Sequence, residues 1–424
     1  RRFRYLWCLW CCWRRLRLGR MRKSRKAHSR LLLIAPPNSY RTVAYLEAAR
    51  RRGVDVLVAS EGEHSLVREI ASGLHVDLSA ADALDHRLEA AREQPFEGVV
   101  ATDDTTVELG CRMARALGLP HNEPGGALAT RRKDLSRGAL RDAAVSIPDF
   151  RVIDLGGDIA RQSDGFGFPC VVKPLSLSAS RGVIRANNQD ELLSACSRVA
   201  DILAGNPQDE IYLRSHVLLE SFIAGPEVAV EGLLYRGDLT VLAIFDKPDP
   251  LEGPFFEETY DITPSRHAAV VQQEIVESVS AACRGMGLCE GPVHAEVRIG
   301  ASGCVIIEVA SRTIGGECAR LLNFGTGRTL EELVIAHALG EALDLDVPVD
   351  AAGVLMIPIR TGGILRRIEG MTAARDVDFI EEILISIRDG YELVPLPEGS
   401  SYLGFMFARA PTAQQVEAAL RAAH

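Results

Sequence analysis

Hydrophobic and polar positions change period along this chain, and the changes mark out its elements. Leu31–Ala35 is a continuous apolar run stopped by Pro36-Pro37, which reads as a strand buried on both faces. RTVAYLEAARRRG (41–53) repeats its apolar positions at helical spacing and closes on Gly53. VDVLVAS (54–60) and EGVVAT (97–102) read as further strands, and TTVELGCRMARALG (105–118) as a helix. This alternation predicts an N-terminal parallel α/β domain over 31–125.

From the turn-rich LGLPHNEPGG (117–126) onward the alternation is no longer strict. A helix is predicted from Ala127 to Ala143, then antiparallel strands at FPCVVKP (168–174) and RGVIRA (181–186). Residues 217–248 read as a strand meander with glycine turns, and helices are predicted at 190–203, 269–287 and 328–340. Strands and helices in runs predict an α+β unit over 126–345. Residues 346–424 alternate short strands and helices, end on the helical TAQQVEAALRAAH, and read as a small C-terminal α+β domain. No internal repeat of fixed period is present.

HAEVRIGASGCVIIEVASR (294–312) reads as two strands closed by the loop Ala301-Ser302-Gly303. In that register Glu296 faces Glu308. Alternation puts Val293, Ala295, Val297, Ile299, Val305, Ile307 and Val309 on one apolar face. His294, Glu296, Arg298, Ile306, Glu308 and Ala310 take the other, and Arg312 continues their parity. Like charges directly opposite destabilise a sheet. Either the pair lies on a solvated face with Arg298 as partner, or it holds a hard cation. Mg²⁺ takes a few carboxylates plus substrate phosphates.

Charge narrows the partners. The first 30 residues hold 12 Lys and Arg, no acid, all three Trp and three of the ten Cys. They are expected to be a disordered or spurious extension (1–30), with Met21 as the natural start. The remaining chain carries 36 basic and 57 acidic residues, a net of −21. Such a body is a poor partner for nucleic acid or an anionic membrane. No uninterrupted apolar run reaches about 18 residues, so no spanning helix is expected. Seven scattered cysteines follow residue 30 without a CxxC pair, and they read as reduced, buried thiols of a cytoplasmic protein.

Two lysines are placed to meet anions. Lys173 ends the apolar strand FPCVVKP, where an unpaired charge is costly. The small-residue loop LSLSASRGV (175–183) follows, and such a loop can lay N–H groups and hydroxyls on phosphates. No GxxxxGK[ST] loop is present. Lys133 sits on the preceding helix. In LLESFIAGPEVAVEG (218–232) a Gly-Pro turn separates Glu220 from Glu227, an arrangement able to offer backbone to an adenine edge and a carboxylate to a ribose. Taken singly, each lysine is a common surface residue.

Taken in order, these segments resemble the ATP-grasp superfamily, specifically its carboxylate–amine ligases of the L-amino acid ligase type, across residues 31–424. The resemblance implies an ATP-grasp fold. It implies Lys133 and Lys173 as nucleotide lysines, with Ser180 and Gly182 in the phosphate loop. Glu220 and the backbone of Ser221 to Ile223 are implied near adenine, and Glu227 on the ribose. Glu296 and Glu308 are the implied Mg²⁺ ligands, with Mn²⁺ as the alternative ion. Arg312 is the candidate for steadying an acyl phosphate. His294 and Arg298 lie beside the metal face, and a structural role for His294 is the competing reading. Lys247, Glu257 and Glu258, in the polar segment FDKPDPLEGPFFEETYDITPS, are candidates for the acceptor site, the competing reading being a solvated loop. So are Gly315 and Gly316, whose lack of a side chain allows close approach.

One position departs from the pattern. The usual Glu-x-Asn-x-Arg reads here Glu308-Val309-Ala310-Ser311-Arg312, so a third metal ligand is missing. The implied reaction phosphorylates a carboxylate with ATP and lets an amine displace the phosphate. That would form a dipeptide or amide from amino acids and release ADP and phosphate. A biotin-carboxylase-like or purine-biosynthetic ligase, and a non-catalytic ATP-binding protein, are the alternatives. The implied partners are small-molecule carboxylates and amines, and a homodimer is the family expectation.

Overall fold

The computed structural model describes residues 29–61, 73–75, 94–207, 210–323, 327–343, 345 and 350–424. The expected extension lies outside them apart from Ser29 and Arg30, which open the first strand. That strand, β1 (Ser29–Ile34), forms a parallel sheet with β2 (Val54–Ser60), β3 (Gly73–His75) and β4 (Gly98–Ala101) in the order β3-β2-β1-β4. Leu31 and Leu33 pack with Tyr45 and Ala48 of α1 (Arg41–Arg52), while Leu32 and Ile34 pack with Met113 of α2 (Val107–Ala116). Burial on both faces is why β1 reads as an unbroken apolar run. As expected, Gly53 ends α1 in the left-handed conformation.

The helix expected over 127–143 is two helices, α3 (Pro124–Arg131) and α4 (Lys133–Asp142). Arg132 between them is extended, with φ −112° and ψ 102°. The break lets the Lys133 N–H donate to the Leu175 carbonyl at 2.9 Å, and the Arg132 guanidinium folds back on Asp134 at 2.7 Å. One extended residue leaves little trace in apolar spacing, yet here it ties α4 to the loop after Lys173.

The next sheet is antiparallel, ordered β5-β8-β6-β7, from β5 (Phe150–Asp154), β6 (Cys170–Pro174), β7 (Ile184–Ala186) and β8 (His216–Ser221). α5 (Gln189–Ala204) covers it with Leu192, Val199 and Leu203. The largest sheet has eight strands. It comprises β9 (Glu227–Tyr235), β10 (Asp238–Lys247), β11 (Tyr260–Thr263), β12 (Glu290–Gly300), β13 (Gly303–Ala310), β14 (Ala351–Ile357), β16 (Ile380–Ile385) and β18 (Gly404–Ala410). Their order is β13-β12-β9-β10-β11-β14-β18-β16, and β15 (Gly363–Ile364) pairs separately with β17 (Glu392–Leu393). α6 (Ala269–Gly285) packs on β9, β12 and β13 through Ile275 and Val279. α7 (Leu330–Ala338) shares a core with α1, and α8 (Ala413–Ala423) covers the C-terminal strands. The architecture is the mixed α/β and α+β expected.

The seven cysteines after residue 30 are free thiols, six buried and Cys289 half-buried. Among the described residues no helix is long and apolar enough to cross a membrane.

The turn into β9 depends on a close approach. Gly225 has φ +124°, and a Cβ there would lie 2.2 Å from the Ile299 carbonyl oxygen. Gly225→Ala is therefore expected to cost roughly 1–3 kcal/mol, read as a lower urea midpoint at unchanged slope. A midpoint equal to the parent's would refute the close approach.

Candidate active site

β12 and β13 place Glu296 opposite Glu308, but not through the expected turn. The loop is Ala301-Ser302, with Gly300 paired to Gly303. The register then shifts between Glu296 and Val297, leaving Ile307 as the extra residue of a bulge. The bulge restores the carboxylate pair and re-aims its neighbours. Ile306, expected beside the acids, is in the core with Val293, Ala295 and Val297. Ile307, expected in the core, lines the cleft, and Cys304 takes the core place expected for Val305. The Ile307 carbonyl, freed from the ladder, accepts from Arg137 Nη2 at 2.6 Å.

The carboxylates open onto a cleft of about 770 Å³ reached by all three parts of the chain. Of the residues expected at the site, all line this cleft except Gly182 and Glu257. At one end Glu220 is buried between Arg137 Nε at 2.6 Å and Lys173 Nζ at 2.8 Å. Burial alone would raise its pKa, but the two cations bring it down to about 2. Lys133 Nζ donates to the Leu177 carbonyl at 2.8 Å and lies 3.7 Å from Glu308. Ser180 lines the loop between them. Gly182 sits behind that loop, its N–H donating to the Pro397 carbonyl at 2.9 Å. At φ +73° a Cβ there would meet the Pro174 ring at 2.7 Å.

The wall expected for adenine and ribose is strongly cross-linked. The Ser221 and Phe222 N–H groups donate to the Asp149 and Pro169 carbonyls, and the Ile223 carbonyl accepts from Arg298. Glu227 is buried between Lys247 at 2.9 Å and Arg298 at 2.8 Å. Arg298 also donates to the Leu251 carbonyl and lies over the Phe222 and Phe256 rings. Its guanidinium is committed to these groups, which makes it a clamp on the wall.

At the centre, Glu296 Oε1 lies 3.2 Å from Lys247 and 4.0 Å from His294 Nε2. Burial would raise the Glu296 pKa, yet the Lys247 charge outweighs it and keeps the carboxylate ionised. Glu258, 2.8 Å from Lys247, is pushed well up by burial, and the Glu296 charge adds to the rise. Burial, then the Arg312 charge, lowers the His294 pKa to about 3, so the imidazole is neutral. Its Nδ1 lies 3.7 Å from Glu231, itself fully buried with its pKa raised by that burial. Glu231 accepts the Ile314 N–H at 3.0 Å, steadying the segment that carries Arg312, Gly315 and Gly316.

Arg312 reaches across to the loop after β4. Its Nε and Nη2 donate to the two oxygens of Asp104 at 3.0 and 3.1 Å. Arg41 of α1 donates to Asp103 at 3.0 Å, and its Nη2 approaches the Thr313 and Ile314 carbonyls. Sequence reasoning missed Arg41, Asp103, Asp104, Arg137 and Glu231. Only Asp103-Asp104 carried a signal, as acids at the carboxyl end of a buried parallel strand, where open α/β sheets place ligands. Opposed carboxylates, two lysines lining the cleft and an oriented arginine can bind a polyphosphate with a divalent cation and stabilise a transferring phosphoryl group.

The neutral His294 has a pH signature. Its folded pKa lies below the ordinary 6.5, so as pH falls the unfolded chain binds the proton first. The stability contributed is whole above pH 6.5 and is lost progressively as pH falls toward 3. His294→Gln is expected to flatten the decline of the urea midpoint between pH 6.5 and about 5. A decline as steep as the parent's would exclude a buried neutral imidazole.

Known proteins share this arrangement. Family models match an ATP-grasp N-terminal domain at 46–121, an ATP-grasp domain at 166–320 and L-amino acid ligase C-terminal domain 2 at 355–424. The chain is 28% identical to the alanine–anticapsin ligase of Bacillus subtilis (strain 168), over 48% of this chain and 45% of that protein. It is 25% identical to carnosine synthase 1 of Homo sapiens, over 70% of this chain and 38% of that protein. The matches thus span less than half the length of either relative. The solved L-amino acid ligase from Bacillus licheniformis superposes with a TM-score of 0.77 at 25% identity, covering 94% of this chain and 98% of that one. With these domains in order around one cleft, the chain is built of ATP-grasp domains followed by an L-amino acid ligase C-terminal domain, which places it in the ATP-grasp superfamily.

Proposed function

We propose that this chain activates a small carboxylate as an acyl phosphate and joins it to an amine, making a dipeptide or related amide from amino acids. The observation that carries the reading is the meeting of Glu296, Glu308, Lys133, Lys173 and Arg312 on one cleft. The likeness to an L-amino acid ligase and to an alanine–anticapsin ligase points to amino acids as substrates.

The donor set fits Mg²⁺. Glu296 and Glu308 offer hard oxygens from opposite strands, while Ala310 offers none. When bound, Mg²⁺ neutralises charge on the phosphates of ATP, and Mn²⁺ suits the same oxygens. Lys133 and Lys173 meet the phosphate chain, Ser180 belongs to the loop over it, and Glu227 faces the ribose. A substrate carboxylate oxygen forms its bond to the γ-phosphorus as the bond to ADP breaks. Arg312, oriented by Asp104, steadies the resulting acyl phosphate. The amine nitrogen then attacks the acyl carbon, phosphate departs with the bonding pair, and the nitrogen releases its proton. Lys247, Glu258, Gly315 and Gly316 lie on the acceptor side, beside Met356 and Tyr402.

Mg-ATP with pairs of amino acids is expected to yield ADP and phosphate in equal amounts, with a condensed product one water lighter than its parts by mass spectrometry. Release that needs bicarbonate and biotin in place of amino acids would overturn the reading. ATP binding without release on any acceptor would make the chain a binding protein. Glu308→Gln is expected to lower turnover by roughly 100-fold or more with an unchanged melting temperature. A near-parental rate would contradict its role at the metal.

A further inference from the structure

Three carboxylates of the cleft converge on one ammonium. Lys247 Nζ lies 2.9 Å from Glu227, 2.8 Å from Glu258 and 3.2 Å from Glu296. One oxygen from each of the three acids falls within 4.8 Å of the others, a spread that suits a metal ion. The acids come from separate places: the first residue of β9, the approach to β11, and the middle of β12. Lys247 ends β10, which lies between β9 and β11, and pairs with Glu227 in register. The sheet therefore delivers its side chain into the middle of the trio, where only 4% of it is exposed.

The donors left for a divalent ion are few. Lys247 holds Glu296 Oε1 and one oxygen each of Glu227 and Glu258. Arg298 holds the second oxygen of Glu227. Opposite His294 in the register, Ala310 contributes no ligand atom. What remains is the other oxygen of Glu258, the other oxygen of Glu296 and the carboxylate of Glu308, and the pair opposed on β12 and β13 is a set for one ion completed by phosphate oxygens and water.

We propose that Lys247 is a tethered counter-ion occupying the place of a second divalent cation, so that this ligase transfers the phosphoryl group with a single metal between Glu296 and Glu308. The inference rests on the ATP-dependent ligase reading above. An ammonium on a buried stem is a point charge that needs no uptake from solution. It neutralises the acids around the nucleotide without coordinating phosphate.

The test counts Mn²⁺ by electron paramagnetic resonance, with a non-hydrolysable ATP analogue on the full chain. One Mn²⁺ per chain, with the six-line spectrum of an isolated ion, is expected. Two spin-coupled Mn²⁺ per chain would overturn the proposal and leave the ligase reading standing. Failure to bind the analogue at all would overturn both. Without nucleotide, Lys247→Met is expected to bind Mn²⁺ roughly tenfold more tightly than the parent, since the trio has lost its cation. A folded Lys247→Met variant with parental Mn²⁺ affinity would also overturn the proposal, and Lys247→Arg is expected to keep the single-ion count. If Lys247→Met does not fold, the parental count alone decides.

Discussion

Carboxylates gathered in one half-buried cleft repel each other, and two of those buried here are held by pairs of cations that arrive from other elements. Glu220 on β8 is met by Arg137 of α4 and Lys173 of β6. Glu227 on β9 is met by Lys247 of β10 and Arg298 of β12. Removing one partner would leave an uncompensated buried charge, which is far more destabilising than the pair is stabilising. Arg137 thereby ties α4 to both antiparallel sheets, holding Glu220 of one and the Ile307 carbonyl of the other. The same balance leaves cation ends facing the cleft, where phosphates would complete it.

The N-terminal domain joins the balance through the loop after β4 and through Arg41 of α1. Asp103 and Asp104 follow β4 and receive Arg41 and Arg312. A bidentate pair between a planar guanidinium and a carboxylate sets direction as well as distance. Arg312 is thus aimed by a part of the chain some 200 residues away. That explains how a domain without a phosphate lysine of its own shapes the reacting end of the cleft.

Much of this was legible in the sequence, for reasons that can be named. β1 reads directly because both its faces are buried, and the Glu296–Glu308 pair reads because side chains alternate. The bulge at Ile307 does not read, since a turn one residue longer gives the same opposition. The break at Arg132 is equally silent, being a single extended residue between two helical runs. Partners such as Asp104 for Arg312 and Arg137 for Glu220 are set by tertiary geometry, and an arginine on a charged helix looks like any surface arginine. Most residues that the resemblance implied do line the cleft, whereas what each one touches was not legible.

The phosphate loop is tethered to the C-terminal part of the chain. Gly182 donates to Pro397, Arg181 to the Glu398 carbonyl, and Arg198 pairs with the Glu398 carboxylate. The eight-stranded sheet also continues from β11 into β14, across the junction near residue 345 where short alternating strands and helices begin. The C-terminal segment is therefore not an exchangeable cassette. A recombination event that swapped it between related ligases would cut one sheet and retune nucleotide handling along with acceptor choice. Lineages of such enzymes should inherit the two halves together, with new specificities arising by substitution inside the cleft and not by shuffling across it.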